Sequence, residues 1–529
     1  MSTRRWMRTA GAALWIMLMT GCFSEHKDNS DLTPNGSNLA TGLPLTLTYW
    51  VNIPNDAVRS LKNFGESLFY QELDRRTGVH IEFLHPPAGT EAEQFNLMIA
   101  SRKLPDMIES NYTVYPGGPE KALDDKVIIP LNDLINEHAP NLKRYLDDHP
   151  QMKKEIMTDN GTYYAFPALG IGNTNVNSGL MLRKDWLDEL GLALPETIDE
   201  WTHVLRQFKE KKGASSPLTL VTGDVTSDRF TGAYGISSGF YMEQGKVRYG
   251  PYEPAYRMYL EQLNAWYKEG LLDADFAIQD ARSQDAKIMN GQSGAFVAYV
   301  GSGMGKYLNE MKGMPYNLSA AQHPVLHKGE EPRFFPASYD YRGDGSVGIT
   351  PANKHPGETA RWLDYYYSQE GHMLKSFGIE GQTYVMENGY PRYTGLIMNN
   401  PDRLSVGEAL SKYLRVAQPS PGFVGDERYS EQYSRYDQQK EAAVIYNKYY
   451  KNLAETRLPR ITETPEEGQE VAAIMSDIAA YSNEMILKFI TGVEPFSRFD
   501  EFILELKDMG IERAIDLKQT ALDRYNNRE

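Results

Sequence analysis

Alternation of apolar and polar residues in the first third of the chain predicts a helix-covered parallel sheet. Five elements, in the order strand, helix, strand, helix, strand, are indicated at residues 45–51, 57–76, 79–83, 91–101 and 104–109. This β-α-β-α-β order is typical of parallel strands. Ligands of such sheets bind beyond the carboxyl ends of the strands, so Trp50, Asn111 and Tyr112 are candidate ligand residues.

A second pattern predicts a crossover in the middle of the chain. Residues 178–183 alternate as a short strand, residues 184–190 indicate a short helix, and Gly191 suits the left-handed position that ends it. Thr197 and Glu200 then have the capping-box spacing that starts another helix. The apolar face of that helix is formed by Trp201, Val204, Leu205 and Phe208.

The rest of the chain carries similar signals. Helical patterns occur at residues 129–154 and 256–267. Strand patterns occur at residues 163–167, 294–299 and 346–350. Near the C-terminus, Thr464 and Glu467 have capping-box spacing around Pro465. The apolar stripe that follows consists of Val471, Ile474, Met475, Ile478, Met485 and Phe489. We expect these last helices to pack and to carry no chemistry.

The N-terminus has the pattern of an export signal. Arginines at positions 4, 5 and 8 precede an apolar run at residues 10–19, which is too short to span a bilayer as a mature helix. Met19-Thr20-Gly21-Cys22 resembles a lipobox, at which cleavage exposes the cysteine for acylation. We therefore predict a lipoprotein signal peptide over 1–21, lipidation of Cys22, and a flexible polar tether over 22–43. The alternative for Cys22 is a small buried thiol.

Composition and net charge limit the number of domains and the kinds of molecule that this protein can bind. The 529 residues exceed what one core holds, so two or three domains are expected. A net charge of −16 argues against nucleic acid, because phosphate binding needs clustered Lys and Arg. With one cysteine, no intramolecular disulfide can form. The 34 tyrosines are either ordinary core and surface residues or stacking platforms for a flat polar ligand.

Several motifs together resemble a known family. The crossover ends in the pattern Pro-x-Thr-x-x-Glu-Trp at residues 195–201, and residues 361–371 and 377–384 read RWLDYYYSQEG and FGIEGQTY. Further matches lie at residues 399–402, 404–407, 458–460, 464–467, 488–492 and 523–525. The chain thus resembles, over about residues 45 to 527, family 1 of the extracellular solute-binding proteins of carbohydrate ABC importers. The resemblance is to the large lipoprotein branch, and alginate-oligosaccharide-binding proteins are similar.

The resemblance implies an α/β fold of the type II periplasmic-binding-protein kind: two lobes, each a mixed sheet covered by helices, joined by a hinge. It implies that residues 44–180 form lobe 1 with residues 351–400 and the C-terminal helices. Lobe 2 would hold residues 181–350 and part of 401–460, with residues 461–529 as packing helices.

The function implied is capture of an oligosaccharide, uronate-containing sugars included, between the lobes and delivery to ABC permease subunits. The protein would be a non-enzymatic monomer on the outer face of a Gram-positive-type cell membrane, held there by its lipid alone. Two alternatives stay open: a surface-anchored polysaccharide-degrading enzyme, and a sugar sensor that takes no part in transport.

Aromatic and charged side chains at the expected cleft are the candidate ligand residues. Aromatic faces stack on sugar C–H faces, and charged groups bind hydroxyls or carboxylates. The first group is Tyr299, beyond a lobe-2 strand, and the loop residues Tyr339, Asp340, Tyr341 and Arg342. The second is Tyr429, Glu431 and Tyr433, where alginate-binding relatives carry a segment resembling Tyr-Glu-x-x-Trp.

Motifs for other chemistries are incomplete. Residues 235–239 match G-x-S-x-G without the strand and helix that a nucleophile elbow needs. His323 and His327 lack the Glu of a zinc helix, and residues 301–306 lack parts of a phosphate loop. Residues 209–217, where alginate-binding relatives hold calcium, contain one carboxylate and three lysines. We therefore expect neither metal nor cofactor.

Overall fold

The structure, a computed structural model, describes residues 45–53, 57, 60–171, 176–416 and 419–528. Cys22 and the predicted signal peptide and tether lie outside these residues. The strands are β1 Leu45–Trp50, β2 Val79–Leu84, β3 Met107–Ser110, β4 Ala168–Gly170, β5 Ser178–Arg183, β6 Leu218–Thr219, β7 Phe240–Glu243, β8 Lys246–Tyr249, β9 Ala295–Tyr299, β10 Leu318–Ala320, β11 Ser346–Ile349, β12 Tyr384–Glu387, β13 Tyr390–Tyr393 and β14 Gly422–Val424.

Helices cover both main sheets. They are Leu68–Thr77, Glu91–Ser101, Gly118–Asp124, Asn132–His138, Pro140–Asp148, Pro150–Glu155, Lys184–Leu190, Ile198–Lys212, Thr222–Val225, Ala255–Glu269, Ala281–Met289, Gly305–Glu310, Pro356–Asp364, Gln369–Ser376, Gly395–Met398, Val406–Tyr413, Glu427–Tyr433, Asp437–Asn447, Pro465–Thr491, Phe499–Asp508 and Ile511–Asn526. None of the helices in the described part is long and apolar enough to cross a bilayer.

Lobe 1 is built on the sheet β11-β3-β1-β2. Strands β1, β2 and β3 are parallel, as the alternation predicts, and β11 joins antiparallel to β3. The inward residues Leu47 and Tyr49 of β1 are fully buried, and the Tyr49 ring meets Trp362 edge to face at 6.2 Å. The predicted β-α-β-α-β order is confirmed, which sets the carboxyl ends of β1 and β3 side by side.

Lobe 2 is built on the mixed sheet β10-β5-β9-β6. The predicted capping box is confirmed, because Thr197 accepts from the Glu200 amide while Glu200 reaches back to the Thr197 amide. Gly191 and Gly213 end the two crossover helices in the left-handed conformation. The predicted face of the second helix is buried in the lobe-2 core. This packing orients β5 and β9, so that Ser178 at the start of β5 pairs with Tyr299 at the end of β9.

The connection between the lobes is a short sheet of its own. Strand β4 pairs in parallel with β14, and Leu169 forms a bridge to Tyr341 in the loop before β11. β5 then opens lobe 2 at Ser178, slightly before the predicted border at residue 181, and β11, assigned to lobe 2 by the prediction, pairs in lobe 1.

Two helical predictions need correction. The predicted helix at 129–154 is three short helices that begin near Asn132, Pro140 and Pro150, because a proline inside a helix removes an amide donor and clashes with the preceding turn. The helix predicted over 57–76 is interrupted, because Ala57 is helical but a separate 3-10 turn at Phe64–Glu66 precedes helix Leu68–Thr77, which Ser67 caps.

The C-terminal helices, predicted to belong with lobe 1, pack mainly against lobe 2. The capping box of Thr464 and Glu467 is confirmed and starts helix Pro465–Thr491, as predicted. Its stripe residues Ile478, Met485 and Phe489, however, are buried in the lobe-2 core.

Candidate functional site

The carboxyl ends of the lobe-1 strands open into a pocket of about 540 Å³, which we call the lobe-1 pocket. This volume is within the range of small-molecule sites. Trp50 from the end of β1 and Asn111 after β3, both predicted as ligand residues, line it. The other lining residues are Asn52, Glu91, Ala92, Phe95, Asn96, Glu109, Ser110, Val114, Tyr115, Pro116, Asp344, Gly345, Arg415 and Pro419.

One wall of the lobe-1 pocket is aromatic. Trp50 and Phe95 lie with ring centroids 5.6 Å apart, and Phe95 meets Tyr115 edge to face at 6.4 Å. Asn111 stands beside this wall, where its amide nitrogen donates to Asp344 Oδ1 at 2.8 Å. The pocket therefore offers ring faces for C–H groups and amide and carboxylate groups for hydroxyls.

The floor of the lobe-1 pocket is an ion pair that sequence reasoning missed. Arg415 Nη2 donates to Glu109 Oε1 at 2.7 Å, and both side chains are almost fully buried. The Tyr49 hydroxyl donates to the other Glu109 oxygen at 2.6 Å, and burial raises the pKa of Tyr49 so that this proton stays on the phenol. Arg415 also lies over the Phe64 ring at 4.7 Å. Because Tyr49 and Phe64 also contact this charge pair, the floor of the pocket is rigid.

The lobe-2 rim follows β9. Tyr299, predicted as a ligand residue, ends β9 with 59% of its surface exposed. The chain then makes the single π-helical turn Val300–Met304, whose carbonyls at Val300 and Gly301 accept from Gln439 Nε2. Behind Tyr299, the two terminal nitrogens of Arg229 donate to the backbone oxygen and the hydroxyl of Ser178, each at 3.0 Å.

The predicted tyrosine pair lies between the two lobes. The rings of Tyr429 and Tyr433 stack with centroids 5.9 Å apart. A Cβ on Gly301 of lobe 2 would lie 2.1 Å from the Tyr433 ring, and a Cβ on Gly407 would lie 3.3 Å from its hydroxyl. Tyr433 thus contacts the lobe-2 rim and the start of helix Val406–Tyr413 together. The Glu431 carboxylate instead accepts a hydrogen bond from the hydroxyl of Tyr390.

A second pocket, the interlobe pocket, surrounds Tyr433 and measures about 750 Å³. Its wall comprises Gly301, Ser302, Gly305, Lys306, Asn309, Glu310, Ser405, Val406, Gly407, Glu408, Tyr433, Arg435, Tyr436 and Gln439. Helix Val406–Tyr413 begins at this pocket and ends just before Arg415 in the lobe-1 pocket. At 1.5 Å per residue, this eight-residue helix is about 12 Å long.

The predicted residues of the loop before β11 lie at the connection between the lobes. The Tyr339 ring is held between the guanidinium groups of Arg457 and Arg460, at 4.2 and 4.1 Å. Its hydroxyl donates to the Leu458 carbonyl at 2.9 Å. Tyr341 is buried against Tyr164, with hydroxyl oxygens 2.9 Å apart.

Asp340 and Arg342 flank that buried tyrosine. The Asp340 carbonyl accepts from Gly170 at 2.6 Å, and the Arg342 amide donates to the Ala168 carbonyl at 3.0 Å. Burial lowers the pKa of Arg342, whose side chain is half-buried. Both residues lie beside the connecting strand β4, and neither lines the lobe-1 or the interlobe pocket.

Five of the sequence-predicted residues fall into three groups. Trp50 and Asn111 come together in the lobe-1 pocket, and Tyr433 lines the interlobe pocket. Tyr112 is fully buried, with its hydroxyl donating to Ile108, so like Tyr341 it offers no open ring face in this arrangement. The alternation pattern put Tyr112 at a strand end but could not tell which way its ring turns.

Residues that sequence reasoning missed are Glu109, Arg415, Phe95 and Asp344. Glu109 ends a predicted strand and Asp344 lies two residues after the predicted loop residue Arg342, which was the available signal. No pattern in the sequence pointed to Arg415, because only tertiary packing brings it to Glu109.

The remaining motifs have structural explanations. Ser237 lies in a loop and donates to Asp228 at 2.8 Å, which is not the strand-to-helix setting of a nucleophile elbow. His323 is buried against the Phe335 ring, and burial lowers its pKa to about 3, so it stays neutral. Across the described ranges, no three His, Cys, Asp or Glu side chains are grouped to hold a metal ion.

This two-lobed architecture, with one pocket at the lobe-1 strand ends and another beside the lobe-2 rim, is that of a ligand-capturing receptor. The family described as bacterial extracellular solute-binding protein matches residues 62–373, and the chain belongs to that family.

Among curated proteins, the fructooligosaccharide ABC transporter substrate-binding protein FusA of Streptococcus pneumoniae is 26% identical over 495 residues, which cover 88% of each chain. Lipoprotein LipO of Bacillus subtilis is 24% identical over 457 residues, 80% of this chain and 82% of its own.

Solved structures give the same fold. Alginate-binding protein AlgQ2 without calcium ion superposes with a TM-score of 0.75 at 25% identity, covering 92% of this chain and 99% of its own. The S. pneumoniae FusA complex with kestose has a TM-score of 0.72 at 23% identity, covering 92% and 100%.

Proposed function

We propose that this protein is the lipid-anchored receptor of an ABC importer and that it captures an oligosaccharide between its lobes without chemically changing it. Relatives named for fructooligosaccharide and alginate binding support an oligosaccharide as the ligand. The observation that carries the proposal is the helix Val406–Tyr413, which links a pocket at the lobe-1 strand ends to a pocket on the lobe-2 rim. A chain of sugars can contact both ends of that helix at once.

In this proposal the ligand lies against Trp50 and Asn111 in lobe 1, and against Tyr299 and Tyr433 on the lobe-2 side. Tyr112 and Tyr341 support the walls from behind. Closure of the hinge around β4 and β14 would bury the sugar and produce the form that the permease recognises.

The first experiment is a thermal-shift screen of the mature protein against neutral and acidic oligosaccharides. A cognate sugar at one hundred times its dissociation constant should stabilise the protein by about 2.7 kcal/mol, because it binds only the folded state. Small-angle scattering should then show a smaller radius of gyration with that sugar. If no oligosaccharide shifts the melting temperature, the proposal is wrong.

Catalysis and anchoring are tested separately. New reducing ends or unsaturated products after incubation with the bound glycan would favour the enzyme alternative. For the anchor, Cys22→Ala should leave the protein unprocessed or release it to the medium. Normal maturation and membrane retention of that variant would contradict lipidation at Cys22.

Transport is tested in cells. Deletion of the gene should abolish uptake of the radiolabelled cognate oligosaccharide, whereas uptake of a monosaccharide should be unchanged. Normal uptake by the deletion strain would favour the sensor alternative.

A further inference from the structure

The described residues that line the lobe-1 pocket carry a net negative charge. Three of them are carboxylates, Glu91, Glu109 and Asp344, and one is a cation, Arg415. Glu109 and Arg415 pair at 2.7 Å in the floor and cancel each other. Glu91 and Asp344 remain, and within the described part of the chain neither forms an ion pair.

Both remaining carboxylates are held in place by neutral donors. The Gly89 amide donates to Glu91 Oε1 at 2.9 Å, and this bond lowers the pKa of Glu91. Asn111 donates to Asp344 Oδ1 at 2.8 Å. Neutral donors fix the direction of each carboxylate without removing its charge, so both keep acceptor capacity towards a ligand.

The other polar groups that the structure describes in this pocket are neutral. Asn52 and Asn96 supply amides that both donate and accept, beside the aromatic wall of Trp50 and Phe95. Arg342, the cation predicted for an acidic sugar, does not line the pocket. Hydroxyl groups can donate to Glu91 and Asp344, whereas a ligand carboxylate can only be repelled by them.

We propose that the lobe-1 pocket selects a neutral, hydroxyl-rich sugar unit and excludes uronate units. The inference rests on the proposed function and narrows its substrate class. A uronate seated here would lose water from its carboxylate and place it near two fixed like charges without a countercharge, and such arrangements discriminate strongly against the wrong ligand.

The test uses pairs of tetrasaccharides that differ only in charge. Tetragalacturonate, tetraglucuronate and tetramannuronate are each compared with the carboxyl-reduced neutral form, and an inulin-type fructotetraose extends the neutral set. Calorimetry on the full mature protein at low salt should show at least one neutral member binding roughly tenfold or more tighter than every uronate. The ratio should shrink as salt rises, because ions screen the repulsion.

Variants then assign the selectivity to the pocket. Asp344→Lys should reduce or reverse the preference, and Glu91→Gln should reduce it. Asp148→Asn, which removes an exposed acid of the same lobe outside the pocket, should leave the preference unchanged. Unaltered melting temperatures confirm that each variant is folded.

The outcomes separate this inference from the proposed function. Sugar binding with a uronate preferred, or a neutral preference that survives both pocket variants, overturns the inference alone. Failure of every tetrasaccharide to bind overturns the proposed function and the inference with it.

Discussion

The rims of the two lobes are built in different ways. The lobe-1 rim presents side chains held within its own lobe, as Asn111 is by Asp344 in the loop before β11. The lobe-2 rim is the glycine-containing turn Val300–Met304, shaped by side chains from the segment that follows β14. Lobe 1 is therefore preorganised, whereas the shape of the lobe-2 rim depends on how that later segment is seated.

This difference suggests that the two rims have different roles in ligand binding. A surface whose side chains are fixed before binding loses little entropy when a ligand arrives, which favours selectivity. A rim formed from backbone and one inserted tyrosine can adjust as the lobes close. The following changes test the comparison, from the largest expected effect to the smallest.

Removal of the cation in the lobe-1 floor should have the largest effect. Arg415→Met leaves the Glu109 carboxylate buried without its partner, which typically costs about 3–5 kcal/mol of unfolding free energy. Urea unfolding followed by tryptophan fluorescence measures the loss. Arg415→Met with Glu109→Gln should recover a large part of it, because the unpaired charge is gone.

The matched control is Arg513→Met. Arg513 pairs with Glu470 at 2.8 Å on the surface, with roughly half of each side chain exposed, so its loss should cost about 1 kcal/mol or less. Equal losses for Arg415→Met and Arg513→Met would show that the lobe-1 floor is not specially rigid.

The addition of a single methyl group to the lobe-2 rim should destabilise the protein. Gly301→Ala places a Cβ into the Tyr433 ring, and overpacking of this kind costs about 1–3 kcal/mol. A double-mutant cycle with Tyr433→Ala should show coupling, since the smaller side chain relieves the clash. Gly223→Ala is the control, because nothing lies within 4 Å of its added Cβ. Additive effects would contradict the contact of Tyr433 with the rim.

Loss of one exposed ring should affect binding and not folding. Tyr299→Ala removes a ring that is 59% exposed, so the unfolding free energy should stay within about 0.5 kcal/mol of the wild-type value. Affinity for the cognate oligosaccharide should fall roughly tenfold, because stacking and covered area are lost. Calorimetry measures it, with Met258→Ala as the control, because Met258 is 53% exposed on helix Ala255–Glu269. If Tyr299→Ala binds the oligosaccharide as tightly as the wild type, Tyr299 does not contact the ligand.

The smallest effect should come from chelation. Lysines occupy the segment where alginate-binding relatives were expected to hold calcium: Lys209 binds the Glu269 carbonyl, and Lys212 pairs with Glu189. These bonds stabilise the end of helix Ile198–Lys212 without a metal. EDTA should leave the melting temperature unchanged, and a fall of several degrees that calcium reverses would reveal a site in the protein.

Local signals predicted much of the fold because each depends on neighbouring residues. Thr197 and Glu200 are three residues apart, so their capping box needs nothing from the rest of the chain. The same holds for Thr464 and Glu467, and for the alternation that marks β1. The prolines at 140 and 150 are equally local signals, since each stands at the start of a new helix.

The sequence by itself determined the elements, the family and the strand ends near which a ligand was expected. Which side chains reach the pockets was decided only by tertiary structure. Glu109 and Arg415 are 306 residues apart, and their pairing depends on the packing of helix Val406–Tyr413 onto lobe 1. Tyr112 and Trp50 both followed from strand ends, yet one ring turned into the core and the other towards the pocket. Side-chain direction beyond a strand follows from the space that distant elements leave, and no local pattern encodes that space.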